Sequence, residues 1–209
     1  DILARAYQDR HLIVSSLAAD MDVSEATIRR DLRRLADEGL VKLNHGGAEL
    51  LQDVDYSFMS KSLRNVEEKK VIARLASEMV EEGDQIFLDS GTTAFHMAAY
   101  LRTRQRLTII LNSVRTAQEL RSPHLNILIP GGQYRPDRMD TVGPMARDSL
   151  SRMRGFKAFI GCDGASMDFG PSSVDIESAH LLGTAAAGAA ETILLINTSK
   201  LNAPALFKV

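Results

Sequence analysis

Asp89-Ser90-Gly91-Thr92-Thr93 places a carboxylate, three hydroxyls and a glycine directly after an apolar run and directly before a helical pattern. The first amides of a helix have no intrahelical acceptor and sit at its positive end, so this arrangement suits an anion such as a phosphate. Ser90, Gly91, Thr92 and Thr93 would supply donors, and Asp89 would accept from a sugar hydroxyl or orient the loop. The plainer alternative is a helix cap with a turn glycine. Similar small or polar segments follow other apolar runs: Asn112-Ser113, Pro130-Gly131-Gly132-Gln133-Tyr134-Arg135, Gly161-Cys162-Asp163-Gly164-Ala165 and Asn197-Thr198-Ser199-Lys200. Each alone is an ordinary turn signal, and Lys200 reads equally as a pocket cation or a solvated loop lysine. No Gly-x-Gly-x-x-Gly or Walker lysine follows any of these runs, so no nucleotide cofactor is expected. His11, His45, His96, His124 and His180 are too scattered to form a zinc shell, and the single Cys162 excludes an internal disulfide.

A second chemistry lies in Ser24 to Leu35. Ser24 is placed to cap a helix, with Glu25 facing the positive end of its dipole. Ile28, Leu32 and Leu35 form one apolar stripe, which leaves Arg29, Arg30, Arg33 and Arg34 on the flanks and outer side. Read as a recognition helix, the segment sets Thr27 and Arg30 near base edges and the remaining arginines on the phosphate backbone. Alternatively, it is a solvated arginine face.

The neighbouring elements favour DNA. Residues 1 to 9 and Val14 to Met21 read as short amphipathic helices, the second capped by Ser15 or Ser16 and facing inward through Leu17, Ala18 and Met21. The Asp22-Val23 turn then leads into the arginine helix, which Gly39 ends. Two short apolar runs, 40–43 and 48–51, flank Asn44-His45-Gly46-Gly47 and read as a hairpin. Three helices and a two-stranded wing make a winged helix-turn-helix, with Lys42 and His45 on the wing, each either a phosphate contact or a solvated side chain. Net charge is −2, and residues 1–45 carry seven basic against eight acidic residues. Binding must therefore come from local placement of the arginines, and from a dimer or tetramer that presents several reading heads to a palindrome.

The remainder is a larger α/β domain. Residues 52–66 read as a linker, with Tyr56, Phe58, Met59 and Leu63 as anchors. From Glu67 a helix runs to Gly83, its stripe formed by Val71, Ile72, Leu75, Ala76, Met79 and Val80. Strands at 85–89, 107–111, 125–129, 156–160 and 192–196 alternate with helices at 93–101, 114–120, 143–153 and 176–190. Apolar strands separated by helices call for an open parallel sheet covered on both faces, with ligands at its carboxyl edge. The domains are thus 1–51, a linker, and 67–209. No membrane span or secretory signal is read, so a reducing cytoplasm is the expected compartment. The chain opens on Asp1 and stops at Val209, and segments are expected to be missing at both ends.

Val23 to Leu32, Gly39-Leu40 and His45-Gly46-Gly47-Ala48 resemble the N-terminal signature of the DeoR family of bacterial transcriptional repressors. The resemblance continues through Glu68-Lys69-Lys70, Asp89 to Thr93, Asn112-Ser113, Pro130-Gly131-Gly132, Gly161 to Gly164 and Thr198-Ser199-Lys200. It implies a winged helix that binds a double-stranded operator near sugar-catabolism genes. It also implies an oligomeric sensor domain related in fold to ribose-5-phosphate isomerase and coenzyme A transferases, in which a phosphorylated sugar releases the repressor. On that pattern Ser90 to Thr93, with Gly131 and Gly132, hold the phosphate, and Asp89, Asn112, Ser113, Asp163, Glu177 and Lys200 line the sugar or the pocket wall. One departure stands out: the family commonly carries Lys or Arg a few residues after the glutamate matched by Glu177, where this chain has only His180. The family's final strand and helix are also expected to be missing. The competing reading is a sugar-phosphate isomerase with an appended helical domain, using Asp89, Asp163, Glu177 and Lys200 for proton transfer.

Overall fold

The computed structural model describes residues 2–51 and 58–209, so the first part of the expected linker, with Tyr56, lies outside the described residues. The chain divides into two units, Asp1–Val66 and Glu67–Val209.

In the first unit, α1 (Ile2–Asp9), β1 (His11–Ile13), α2 (Val14–Asp20) and α3 (Glu25–Asp37) precede β2 (Val41–Asn44) and β3 (Gly47–Leu50). The helices and sheet enclose a core of Ile2, Ala6, Leu12, Val14, Leu17, Ala18, Ile28, Leu32, Val41, Ala48 and Leu50. The arginine helix forms as its sequence predicts: Ser24 Oγ accepts from the Thr27 amide at 3.2 Å, and Ile28 and Leu32 are each 1% exposed. Two expectations need correction. The wing has three strands in the order β1-β3-β2, because β1 adds antiparallel to β3 with Leu12 opposite Ala48. Gly47 permits this close approach, since a Cβ there would lie 1.7 Å from the Leu12 carbonyl oxygen. Neither Ser15 nor Ser16 caps α2: the cap position is Ile13, without a side-chain hydrogen bond, because the chain enters the helix straight from strand β1.

The first unit also contains α4 (Phe58–Ser62), and α5 (Val66–Glu78) begins at its last residue. In the second unit the order after α5 is β4 (Gln85–Leu88), α6 (Thr92–Leu101), β5 (Leu107–Leu111), α7 (Val114–Glu119), β6 (Leu125–Leu128), β7 (Gln133–Arg135), β8 (Asp140–Val142), α8 (Pro144–Ser151), β9 (Lys157–Gly161), β10 (Gly164–Ser166), β11 (Gly170–Ser173), α9 (Ile176–Gly188), β12 (Glu191–Leu195), a short 3-10 turn at Thr198–Lys200 and β13 (Phe207–Lys208). Five strands form one parallel sheet in the order β12-β9-β4-β5-β6. Side chains alternate along each strand. Ile86, Leu88, Ile109, Leu111 and Phe159 face a core completed by α5 and α6, and Phe87, Ile110, Ala158 and Ile160 face one completed by α8 and α9. Burial on both faces explains the nearly unbroken apolar strands; each large side chain so buried contributes roughly 1.5–3 kcal/mol.

The helix α5 departs from its predicted stripe. The six apolar positions form two adjacent rows, and only one is covered. Ala73, Ala76 and Val80 are buried with Ile72 packed beside them, while Val71, Leu75 and Met79 are 51%, 50% and 42% exposed. The small alanines let the helix approach the sheet, which leaves the bulkier row outside. Two further structures had no sequence expectation: the β7–β8 hairpin and the antiparallel sheet β10-β11-β13.

Candidate functional site

From β4 the chain steps outward through β5 and β6, then returns to place β9 and β12 on the other side of β4. The order therefore reverses between β4 and β9, which makes their carboxyl ends the switch point where ligands of open α/β sheets gather. Asp89 and Gly161 stand at this point. The Gly161 amide donates to Asp89 Oδ2 at 3.0 Å, and a Cβ at Gly91 or Gly161 would lie 2.8 or 2.9 Å from the same oxygen. Two glycines thus make room for the carboxylate. Burial pushes the Asp89 carboxyl upward, the Gly161, Ser90 and Gly91 amides oppose that, and the nearby Asp163 charge adds to it.

Beyond Asp89, Gly91 takes the cap position of α6 with no side-chain cap. Ser90 and Gly91 are half-buried, whereas Thr92 and Thr93 are 6% and 8% exposed, so the accessible part of the loop is its first two residues. Asn112 and Ser113 directly follow β5. The Asn112 amide donates to the Thr141 carbonyl at 3.2 Å, and its Oδ1 is buried without a protein partner. The Ser113 hydroxyl is occupied as the cap of α7, accepting from the Thr116 amide at 3.1 Å.

The β7–β8 hairpin lies over these ends. Ser113 bridges to Asp140, the Thr141 amide donates to Asn112 O at 2.8 Å, and the Thr141 hydroxyl donates to Pro130 O at 2.9 Å. Gly131 and Gly132 are exposed between β6 and the hairpin, and a Cβ on Gly132 would meet Val142 O at 2.5 Å.

On the β9 side, Asp163 Oδ2 accepts from the Ser173 hydroxyl and the Val174 amide, both at 3.0 Å. Lys200 Nζ donates to the Cys162 carbonyl, which places it at the carboxyl end of β9. Burial pushes the Cys162 thiol up, partly offset by Lys200 and joined by the charges of Asp163 and Asp89, so the thiol is not poised as a nucleophile. Asp89, Asp163 and Lys200 are therefore brought together. Glu177, in the first turn of α9, is held by α8: Arg147 Nη1 donates to Glu177 Oε2 at 2.7 Å and lies 3.5 Å from His180 Nδ1. Arg147 supplies from a neighbouring helix a cation beside Glu177, the charge His180 alone was expected to replace. Sequence reading placed Arg135 in the segment after the third strand without giving it a role, and missed Arg147 and Asp140, because their partners are remote in the chain or sit in an aperiodic loop.

In the first unit, Arg29, Arg30, Arg33 and Arg34 are all exposed on α3. Arg29 pairs with Glu25 at 2.7 Å, Arg34 with Glu38 at 3.0 Å and Arg30 with Asp31 at 3.6 Å. Exposed pairs of this kind are worth about 0–1 kcal/mol, so exchanging these carboxylates for phosphates costs little. Thr27 Oγ1 lies 2.9 Å from Ser24 Oγ. Lys42 is exposed on β2, opposite Glu49, and His45 is exposed in the turn. Among the described residues no helix is long and apolar enough to cross a membrane, and no group of three or more His, Cys, Asp or Glu is placed to hold a metal ion.

A winged helix followed by a parallel α/β domain with a polar carboxyl edge defines a two-part protein. The comparisons give the particular family: residues 1–54 match the DeoR-like helix-turn-helix domain and residues 64–209 the DeoR C terminal sensor domain. The chain belongs to the DeoR family. It is 32% identical over 95% of its length to the HTH-type transcriptional repressor CsqR of Escherichia coli, covering 77% of that protein. It is 34% identical over 90% of its length to the lactose phosphotransferase system repressor of Staphylococcus epidermidis, covering 76% of it. Among solved structures, ribose 5-phosphate isomerase A of Methanocaldococcus jannaschii is similar at 19% identity and a TM-score of 0.48, over 66% of this chain and 55% of that one.

Proposed function

We propose that the protein is a DNA-binding transcriptional repressor of carbohydrate-utilisation genes, released from its operator by a phosphorylated sugar. Residues 1–51 bind the operator, with Ser24, Thr27, Arg29, Arg30, Arg33 and Arg34 on α3 entering the major groove and Lys42 and His45 of the wing on the backbone. Residues 67–209 bind the effector and oligomerise. Family membership and the names of the repressors it resembles support the DNA half.

The observation that carries the effector half is the switch point, where a helix N-terminus without a side-chain cap, Ser90 and Gly91, opens beside the buried Asp89. Phosphate oxygens accept from the Ser90–Thr93 segment, with Gly131 and Gly132 allowing close approach. The sugar hydroxyls meet Asp89, Asp163, Lys200 and the open acceptor of Asn112, while Ser113 and Glu177 shape the wall. Release requires an effector whose affinity differs between the DNA-bound and free arrangements.

The test is to select bound sequences from a random DNA pool, then titrate a panel of pentose and hexose phosphates against the selected operator by fluorescence anisotropy. Operator affinity should fall at least tenfold with one phosphosugar and remain unchanged with its unphosphorylated parent. Constant affinity across the panel would remove the effector half, and failure to select any sequence would remove the DNA half.

A further inference from the structure

Arg135, at the end of β7, has only 16% of its side chain exposed, yet it reaches two further elements, β8 and the start of α9. Its Nε and Nη2 donate to the two oxygens of Asp140 at 2.8 and 2.7 Å. Its Nη1 donates to Asp175 Oδ1 at 2.9 Å, and Nη2 also reaches Ser178 Oγ at 3.3 Å. Asp140, 1% exposed, accepts in addition from the Ser90 hydroxyl at 3.3 Å. Asp175 is the cap of α9, accepting from the Ser178 amide at 2.8 Å, with Arg138 Nη1 3.7 Å away. One guanidinium therefore joins the loop after β4 to the first turn of α9.

The geometry points to Arg135 as a positioning residue that holds the Ser90 loop and relays its state to α9. The ligand part of this inference rests on the reading of Ser90–Thr93 as the effector loop; the mechanical part does not. A bare Asp140 carboxylate beside an anion site would repel the anion, and the bidentate guanidinium cancels that charge. A serine hydroxyl has one proton to donate. When a phosphate oxygen takes it, the Ser90–Asp140 bond must break. Asp140 then remains on Arg135, whose other arm holds the α9 cap, so the loss of one hydrogen bond at the loop alters the restraint on α9.

Amide hydrogen exchange tests this with the whole chain. The Phe95 amide, which donates to Gly91 O at 2.9 Å, reports on the loop, the Ala179 amide on α9, and Ile109 and Ile110 on the sheet centre. Arg135→Met should speed exchange at Phe95 and Ala179 at least tenfold with the β5 amides unchanged. Asp175→Asn keeps a capping oxygen but loses the charge facing Arg135, and should speed exchange at Phe95 at least threefold although the partners of the Asp175 carboxylate are Arg135, Arg138 and Ser178, all outside α6. It decides the matter should Arg135→Met not fold. Unchanged exchange at Phe95 in Asp175→Asn, or an equal rise in β5 in both variants, would overturn the relay. In wild type, ribose 5-phosphate at saturation should alter exchange at Ala179 as well as Phe95. Protection at Phe95 alone would overturn the relay, whereas no binding by any phosphosugar in the operator assay counts against the effector reading and leaves the variant results to decide the relay.

Discussion

At the scale of single residues, the arginines of α3 differ in what they already hold. Arg29 and Arg34 are tied to carboxylates one turn away at 2.7 and 3.0 Å, and Arg30 only loosely to Asp31 at 3.6 Å. Arg33 is exposed and makes no ion pair with a described residue. The least committed cations give up least on meeting DNA. Replacing Arg30 or Arg33 with alanine should weaken operator binding by about 1–3 kcal/mol if the side chain reads a base edge. If it contacts a phosphate, the salt slope should fall by about one and the loss should be similar for all sequences. The thermal midpoint should stay put, because Arg30 has 77% of its side chain exposed and little burial to lose. Anisotropy over a salt series with operator and scrambled duplexes separates these cases, and unchanged affinity for both variants would move the reading face elsewhere on the helix.

At the scale of elements, the cap of α9 makes stability depend on pH. Burial alone would raise the Asp175 carboxyl, but hydrogen bonds from Ser178 and Arg135 and the Arg135 charge overcome it and hold it at about 2, against 3.8 for the free group. The folded value is the lower one, so the unfolded chain takes up the proton first. The associated stability, on the order of 2 kcal/mol, is present above about pH 4 and is lost as pH falls through the folded value. Denaturant midpoints between pH 5 and 2 should decline less in Asp175→Asn than in wild type, and parallel declines would assign the acid sensitivity elsewhere. The same elements show what periodicity reveals. Ser24, Ile28 and Leu32 specify α3 because cap and stripe are local, and the strands β4, β5 and β9 are legible because both faces are buried. Their common direction then brings Asp89 and Gly161 together. What periodicity leaves out depends on remote partners: β1 is only His11–Ile13 and exists through Gly47, and the β7–β8 hairpin is held by Asn112, Ser113 and Pro130. The exposed row of α5 is hidden for a different reason, since two apolar rows look alike in sequence and packing selects one.

At the scale of the molecule, a chain of net charge −2 has no general attraction for a polyanion, so its affinity must come from a few placed cations. A single head of this size is weak and salt-sensitive. Two heads on one duplex make the second contact effectively intramolecular and raise avidity without a new residue. That advantage exists only if both heads meet the same face of the DNA, and successive faces recur every 10–10.5 base pairs or so. Inserting about 5 base pairs between the half-sites of the selected operator turns one half-site to the far side, and inserting about 10 returns it. Affinity should fall at least tenfold for the first insertion and largely recover for the second, read by anisotropy at fixed salt. A monomeric reader would be indifferent to both insertions, and that result would place all the binding energy in one winged helix, against the expectation from its few cations.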